Sequence, residues 1–431
     1  MDVCNQARSD VRNQACNQVR HQALEIAREA VRRMDPREGV LRALQGRSFP
    51  GEVVLISLGK AGWTMAAAAR EALGPRISRG VVVTKYGHSR GPLEGLEIIE
   101  AGHPLPDTNS LRGGARGLEL VENLSCEDTV LLLVSGGGSA LFEFPAEGVS
   151  LKELESLTGQ LLRAGADIRE INTLRKRLSR VKGGRLAERA FPARVFSLLL
   201  SDVLGDAPDA IASGPGVPDS TTWEEARDIL ARYDLLLSPE ARKALEAETP
   251  DELPHAAWEL IGGVSLLCEE AARQCRRRGF TPWILTTSLD CEAREAGAFF
   301  ASLARTIRQG ERSFTPPCAL MAGGETVVHL RGSGKGGRNQ ELALAGAFGL
   351  EGVPGAVLLS LGSDGTDGPT DAAGGVVDGK TIERIRSRGT LSPRTYLEEN
   401  DAYHALALSE DLIITGPTGT NVNDLVLLLV E

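Results

Sequence analysis

Apolar residues in this chain fall in short unbroken runs separated by longer stretches of mixed polarity. VVLISLG (53–59), GVVVTK (80–85), LEIIEAGH (96–103), TVLLLVSGGG (129–138) and RVFSLLLSD (194–202) are such runs. Short runs without polar alternation predict strands buried on both faces. Between them, in AGWTMAAAAREAL and over 110–123, 151–165 and 169–190, the pattern predicts helices. Residues 8–33 open the chain as an amphipathic helix, with Val11, Ala15, Val19, Ala23 and Ala27 recurring every fourth position. Strands alternating with helices predict a parallel sheet covered on both faces. The charged, proline-bearing stretch 246–258 reads as a linker, after which the alternation restarts. Helix 263–278, strand TPWILTTS, helix 292–309, strand CALMAGGET, helix 339–349, strand AVLLSLGSDG and the segment DLIITGPTGTNVNDLVLLLV complete the chain. The pattern predicts two α/β domains in series, residues 1–245 and 259–431.

Several of these strands end in a glycine-rich polar loop: LGKAG, VSGGGSA, LMAGGET and LGSDGTDG. In open α/β sheets ligands sit outside the carboxyl ends of the strands, so a cleft between the two domains is the expected active site. In SGGGSAL, Gly136, Gly137 and Gly138 let successive backbone N–H groups turn inward as an anion nest, flanked by the hydroxyls of Ser135 and Ser139. An ordinary strand-to-helix turn is the alternative, but it needs fewer glycines. The loop is not GxGxxG, and Ala61 and Gly336, following the lysines of GKAG and GKGG, exclude GxxxxGK[ST].

Composition narrows the choice of ligand. The 431 residues are 42% hydrophobic and 25% charged, as in a globular protein of two or three domains. The net charge of -10 argues against a nucleic-acid partner, though a local basic cleft still suits a small anion. Only eight of the 48 basic residues are lysine, so each lysine is a marked choice. Three have glycine neighbours: Lys60 in GKAG, Lys182 in VKGGR and Lys335 in GKGGR. A compact ammonium on a flexible stem suits phosphate. No apolar run of ~18 residues predicts a membrane span. The first thirty residues carry no apolar leader segment, and the seven cysteines form no CxxC pair, so the expectation is a cytoplasmic protein with reduced thiols.

Carboxylates gather in the loops. SDVLGDAPDAIASGPG (201–216) carries Asp202, Asp206 and Asp209, placed to hold Mg²⁺ or take a proton from a hydroxyl. GGETVVHLRGSGKGGRNQE (323–341) combines Glu325 with Lys335 and Arg338, the last opening a helix with a planar fork suited to carboxylate or phosphate. GSDGTDGPTDAAGG (362–375) holds Asp364, Asp367 and Asp371 without the glutamate an EF-hand requires. Solvated turns or a hairpin with exposed cations are the alternatives. GPTGTNVNDL (416–425) places Asn421 in another polar loop, and His103 in AGHPLPD lies at a strand end, as apt for a structural role as for a place on the rim.

These motifs, together with LGKAGWTMA and INTLRKRLSRVKGGRLA, resemble in order and over nearly the whole chain the MOFRL-type glycerate 2-kinase family, whose older label is hydroxypyruvate reductase. The resemblance implies a Rossmann-like N-terminal domain and a smaller C-terminal α/β domain with the active site between them. It implies ATP-dependent phosphorylation of D-glycerate to 2-phosphoglycerate with Mg²⁺. By motif, Lys60 and Arg338 are the principal cations, Asp202, Glu325 and Asp364 the acidic site positions, and Asn421 the terminal loop's contribution. Catalysis is thereby expected from Lys60, Arg338, Asp202 and Asp364. Substrate and nucleotide binding are expected from Ser135 to Ser139, Lys182, Glu325, Lys335 and Asn421, and metal binding from Asp206 and Asp367. Arg177 and Gly216 depart from the family's RKHLS and GPT. The rival expectations are an NAD(P)H-dependent hydroxypyruvate reductase, which lacks its dinucleotide fingerprint here, and a non-catalytic sugar-acid-binding protein. Homo-oligomerisation is left open.

Overall fold

The computed structural model describes residues 2–310 and 314–431. Two compact units emerge, one of residues 36–262 and one of residues 1–35 with 263–431.

The first unit holds a six-stranded sheet: β1 (Val53–Leu58), β2 (Ile77–Lys85), β3 (Leu96–Ala101), β4 (Thr129–Val134), β5 (Arg194–Leu200) and β6 (Ala256–Gly262). Every pairing is parallel, in the order β3-β2-β1-β4-β5-β6. This is the doubly wound order that reverses direction between β1 and β4, leaving a crevice at their carboxyl ends. All residues of β1 and β4 are buried, which explains why VVLISL and TVLLLV read as unbroken apolar runs. The edge strand β6 is exposed over its first half and buried at its end. Helices Leu151–Arg163, Ile168–Arg177, Trp223–Tyr233 and Pro239–Glu246 form a separate core around Leu157, Leu161, Leu174 and Leu245.

The second unit holds β7 (Thr281–Leu289), β8 (Cys318–Gly324), β9 (Ala356–Gly362), β10 (Gly374–Asp378), β11 (Leu412–Ile413) and β12 (Asp424–Val430), in the order β11-β10-β9-β12-β8-β7. Only β7 and β8 are parallel; β12 runs antiparallel to both β8 and β9. Helices Ala293–Arg308 and Arg338–Leu350 touch backbone to backbone, since a Cβ on Gly297 would meet the Leu342 carbonyl at 2.2 Å. No helix among the described residues is long and apolar enough to cross a membrane.

Three expectations are corrected. The N-terminal helix, Asp2–Arg33, was assigned to the first domain but packs in the second unit. There Ala23, Ile26 and Ala27 are fully buried, and Arg20 pairs with Asp411 and Asp378. The side chains of Val11 and Ala15 lie outside the described residues. Residues 246–258 are not a free linker. Arg177 donates to the carbonyls of Leu245 and Ala247, Thr249 donates to Asp219, and the segment runs into β6. The single helix expected over 169–190 is two, broken where Gly183 and Gly184 adopt φ of 55° and 79°.

Candidate active site

In the first unit, four loops converge at the carboxyl ends of β1, β3, β4 and β5. Gly59 follows β1 with φ 109°, and a Cβ there would lie 2.2 Å from Ser135 Oγ. Only glycine lets the loops after β1 and β4 approach so closely. Lys60 N–H donates to the Gly136 carbonyl at 2.9 Å, and Ala61 N–H to Ser135 Oγ at 3.1 Å. The next three glycines each bring in a neighbour. A Cβ on Gly136 would lie 2.0 Å from Asp202 Oδ2; one on Gly137 would lie 3.0 Å from the His103 ring and 3.2 Å from Lys60 Cε; one on Gly138 would strike Leu58 and Ala212. The loop 135–139 thus gathers Lys60, His103 and Asp202 around itself. Burial first, then the charges of Lys60 and Lys85, hold the His103 imidazole below its usual range, so the ring is neutral at neutral pH.

A cavity of about 540 Å³ opens here, lined by His103, Gly137, Ser139, Arg175, Lys176 and Asp202 among others. Lys176 is buried with its ammonium 2.9 Å from both Asp209 and Asp219. Burial opposes ionisation of Asp209, but hydrogen bonds from Ser220 and Lys176 outweigh it and hold the carboxyl below its usual range.

Two expected site residues of this unit lie elsewhere. Lys182 is 1% exposed, paired with Glu143 and donating to the Phe142 carbonyl at 3.2 Å. Its ammonium does not line the cavity. Asp206, expected to bind metal, is buried in a turn at φ 54° and is also absent from the cavity wall. The two departures from the family pattern are packing features. Arg177, fully buried, ties down residues 245–248, and a Cβ on Gly216 would meet Leu132 and Ser197 of the sheet at 2.4 Å.

In the second unit, the antiparallel run of β12 decides the geometry. Its first residue, Asp424, stands in register with the last residues of β8 and β9, Gly324 and Gly362. Arg338 opens its helix beside them, donating from Nε at 2.5 Å and from Nη2 at 2.9 Å to Asp424, with Nη1 3.2 Å from Glu325. Asp364 lies close by, since a Cβ on Gly362 would be 3.3 Å from Asp364 Oδ1 and 3.5 Å from Asp424 Oδ1. Arg338, Glu325 and Asp364 therefore gather around Asp424 at the ends of β8, β9 and β12. Asp367 stands near Arg338, but its carboxylate is already engaged. Its carboxylate accepts from the N–H groups of Asn339 and Gln340, capping the helix, and this leaves it poorly suited to metal. Lys335 rests over the Tyr403 ring at 4.2 Å. Asn421 is exposed and accepts from Asn423 N–H at 3.4 Å. Among the described residues no three His, Cys, Asp or Glu side chains group as a metal cluster.

Sequence reasoning missed Arg175 and Asp424. The signal for Asp424 is a lone acid opening an otherwise wholly apolar strand. Burial pushes the Asp424 carboxyl up to about 6 despite Arg338. If this pair positions Arg338 for catalysis, kcat/KM should fall as pH drops through about 6, because protonation removes the charge that clamps the guanidinium. Asp424→Asn should lower kcat/KM and flatten that acid limb; an unchanged pH profile would show the pair to be structural only.

Comparison with known proteins places the chain in a family. Residues 22–246 match a domain family described only as of unknown function (DUF4147), and residues 318–424 match the MOFRL family. A D-glycerate 2-kinase of Thermotoga maritima is 53% identical over 407 residues, covering 94% of this chain and 97% of that protein. The chain belongs to the glycerate 2-kinase family. A crystal structure of glycerate kinase from Thermotoga maritima superposes with a TM-score of 0.90 at 52% identity, covering 96% of this chain and 100% of that one. The family's names are not uniform: an Agrobacterium vitis relative, 42% identical over 88% of this chain and 100% of its own length, is called a putative hydroxypyruvate reductase.

Proposed function

We propose that the protein transfers the γ-phosphoryl group of ATP to the 2-hydroxyl of D-glycerate, giving 2-phosphoglycerate and ADP. The observation that carries this reading is the convergence of Lys60, His103 and Asp202 on the Gly136–Ser139 loop. Family membership supplies the substrate. Phosphoryl transfer asks a protein mainly for positioning and charge neutralisation. The Lys60 ammonium, held over the glycines by its own backbone, supplies a point charge for phosphate oxygens. The loop offers backbone N–H groups to an anion. His103, neutral at neutral pH, and Asp202 are the groups on the cavity wall able to accept the hydroxyl proton.

Mg²⁺ commonly binds through one or two carboxylates plus substrate phosphates and needs no all-protein cage. Asp202 fits that mode because it lines the cavity beside Gly136; Asp367, occupied by a helix terminus, does not. When bound with nucleotide, the ion would supply charge neutralisation across the phosphates.

Incubation with ATP, Mg²⁺ and D-glycerate, followed by product identification, is expected to give ADP and 2-phosphoglycerate in equal amounts. Oxidation of NADH with hydroxypyruvate in the absence of ATP would replace this reading with the reductase. Binding of D-glycerate without ADP release would replace it with a non-catalytic sugar-acid receptor.

A further inference from the structure

Helix Ile168–Arg177 ends in three successive cations with three different environments. Arg177 is fully buried and bonded to carbonyls of residues 221, 245 and 247 and to Glu248. Lys176 is neutralised by Asp209 and Asp219. Arg175 lines the cavity, and its guanidinium makes one hydrogen bond, from Nη2 to the Ser139 carbonyl at 3.2 Å. No carboxylate lies within 4.0 Å of it among the described residues. Glu143, the acid whose charge reaches it, is itself paired with Lys182. Burial accordingly works against the Arg175 charge. A guanidinium in this position, half-buried at the edge of a cavity and without a counter-ion, is an incomplete ion pair.

The surroundings limit what completes it. On the cavity wall Lys176 is already met by Asp209 and Asp219, Arg169 pairs with Glu225, and Asp202 adds a further carboxylate, so Arg175 is the lining cation with no carboxylate within 4.0 Å among the described residues. With carboxylates this close on the same wall, a small singly charged group fits better than a triphosphate. Arg175 is also fixed in place. Ser139, whose carbonyl holds it, shares a hydroxyl bond of 2.8 Å with Ser213, and Ser213 donates to Asn172 Oδ1 at 3.3 Å.

We propose that Arg175 receives the carboxylate of the hydroxy-acid substrate and thereby selects an acid over a neutral polyol. This rests on the kinase reading above and names the acceptor's subsite within it. A planar fork held at one nitrogen still presents its remaining donors to a carboxylate, and a site built around that contact rejects an analogue lacking the charge.

The test uses Arg175→Ala, Arg175→Lys and Arg175→Gln in the full chain, with steady-state kinetics and calorimetric titration of D-glycerate and of glycerol. For Arg175→Ala and Arg175→Gln, the KM and Kd for D-glycerate are expected to rise by roughly a hundredfold, the range of a lost charge-assisted hydrogen bond. The KM for ATP should stay within about threefold, and the preference for D-glycerate over glycerol should shrink by the same factor. Arg175→Lys should recover part of the loss. Should Arg175→Ala fold poorly, the Gln variant decides, being close in size and neutral. A D-glycerate Kd unchanged in the folded variant overturns the proposal, as does a loss falling on ATP instead. If wild type releases no ADP with D-glycerate, the kinase reading fails, and titration still decides the subsite by whether Arg175 variants lose affinity.

Discussion

Replacing Lys60 by alanine is expected to cut kcat/KM for D-glycerate phosphorylation roughly a thousandfold and leave Tm unchanged. A cation on a transferring phosphoryl in a water-poor site is worth about 10³ in rate, which corresponds to ~4 kcal/mol of barrier. An exposed ion pair is worth only ~0–1 kcal/mol, so the two roles are far apart in size. Stability should be spared because the loop is held by backbone. Lys60 N–H bonds the Gly136 carbonyl and Ala61 N–H bonds Ser135 Oγ, and alanine keeps both. No carboxylate is left unpaired either, since none lies within 4.0 Å of the Lys60 ammonium among the described residues. Arg338 makes a useful contrast. Its removal strips the fork from Asp424, which is only 3% exposed, so Arg338→Ala should lose stability together with activity. Measured kcat/KM and melting curves together separate the cases. A loss below tenfold for Lys60→Ala would move the phosphoryl contact to another cation.

The elements that the sequence displayed most clearly are those whose environment is uniform. β1 and β4 are buried on both faces, so their residues are almost wholly apolar and their limits could be read within a residue or two. β6 escaped because, as a partly exposed edge strand, AAWELIG lacks a long apolar run and follows a proline-bearing stretch that looks like a linker. The short β10 and β11 escaped for lack of length. Site residues followed a similar logic. Glycine clusters exposed the loops, because close backbone approach excludes every side chain, and Gly59, Gly136 and Gly137 indeed surround the meeting point of Lys60, His103 and Asp202. What the sequence could not show was the direction of a charged side chain. Arg175, Lys176 and Arg177 are adjacent in the chain, yet the turn of the helix brings Arg175 to the cavity without a carboxylate partner, Lys176 to the same wall already paired with two aspartates, and Arg177 to buried carbonyls. Lys182 and Asp367 were misplaced for the same reason: each sits in a glycine-rich loop, but Glu143 holds one and a helix N-terminus the other.

Lys182→Met should destabilise the first unit by about 3–5 kcal/mol, the cost of leaving one member of a buried ion pair without its partner. For a unit of this size that corresponds to roughly 2–4 °C of Tm per kcal/mol, a shift well outside experimental error. Glu143 is 1% exposed and retains only the Ser179 hydroxyl at 2.5 Å and the Phe144 N–H at 3.0 Å. Burial depresses the Lys182 pKa from 10.5 to about 8, which means that the pairing does not fully offset desolvation. Two consequences follow from that inequality. The double variant Lys182→Met/Glu143→Leu should recover most of the lost stability, because it removes both buried charges. The pH dependence also has a fixed sign. Between pH 8 and 10.5 the unfolded chain holds the lysine proton more tightly, so this group's contribution is full above 10.5, falls with decreasing pH, and is lost below about 8. Thermal melts of wild type and Lys182→Met across that window should differ in slope accordingly. Turnover per folded molecule should be unaffected, since the ammonium does not line the cavity. A variant that kept its Tm but lost affinity for D-glycerate or ATP would instead return Lys182 to the ligand.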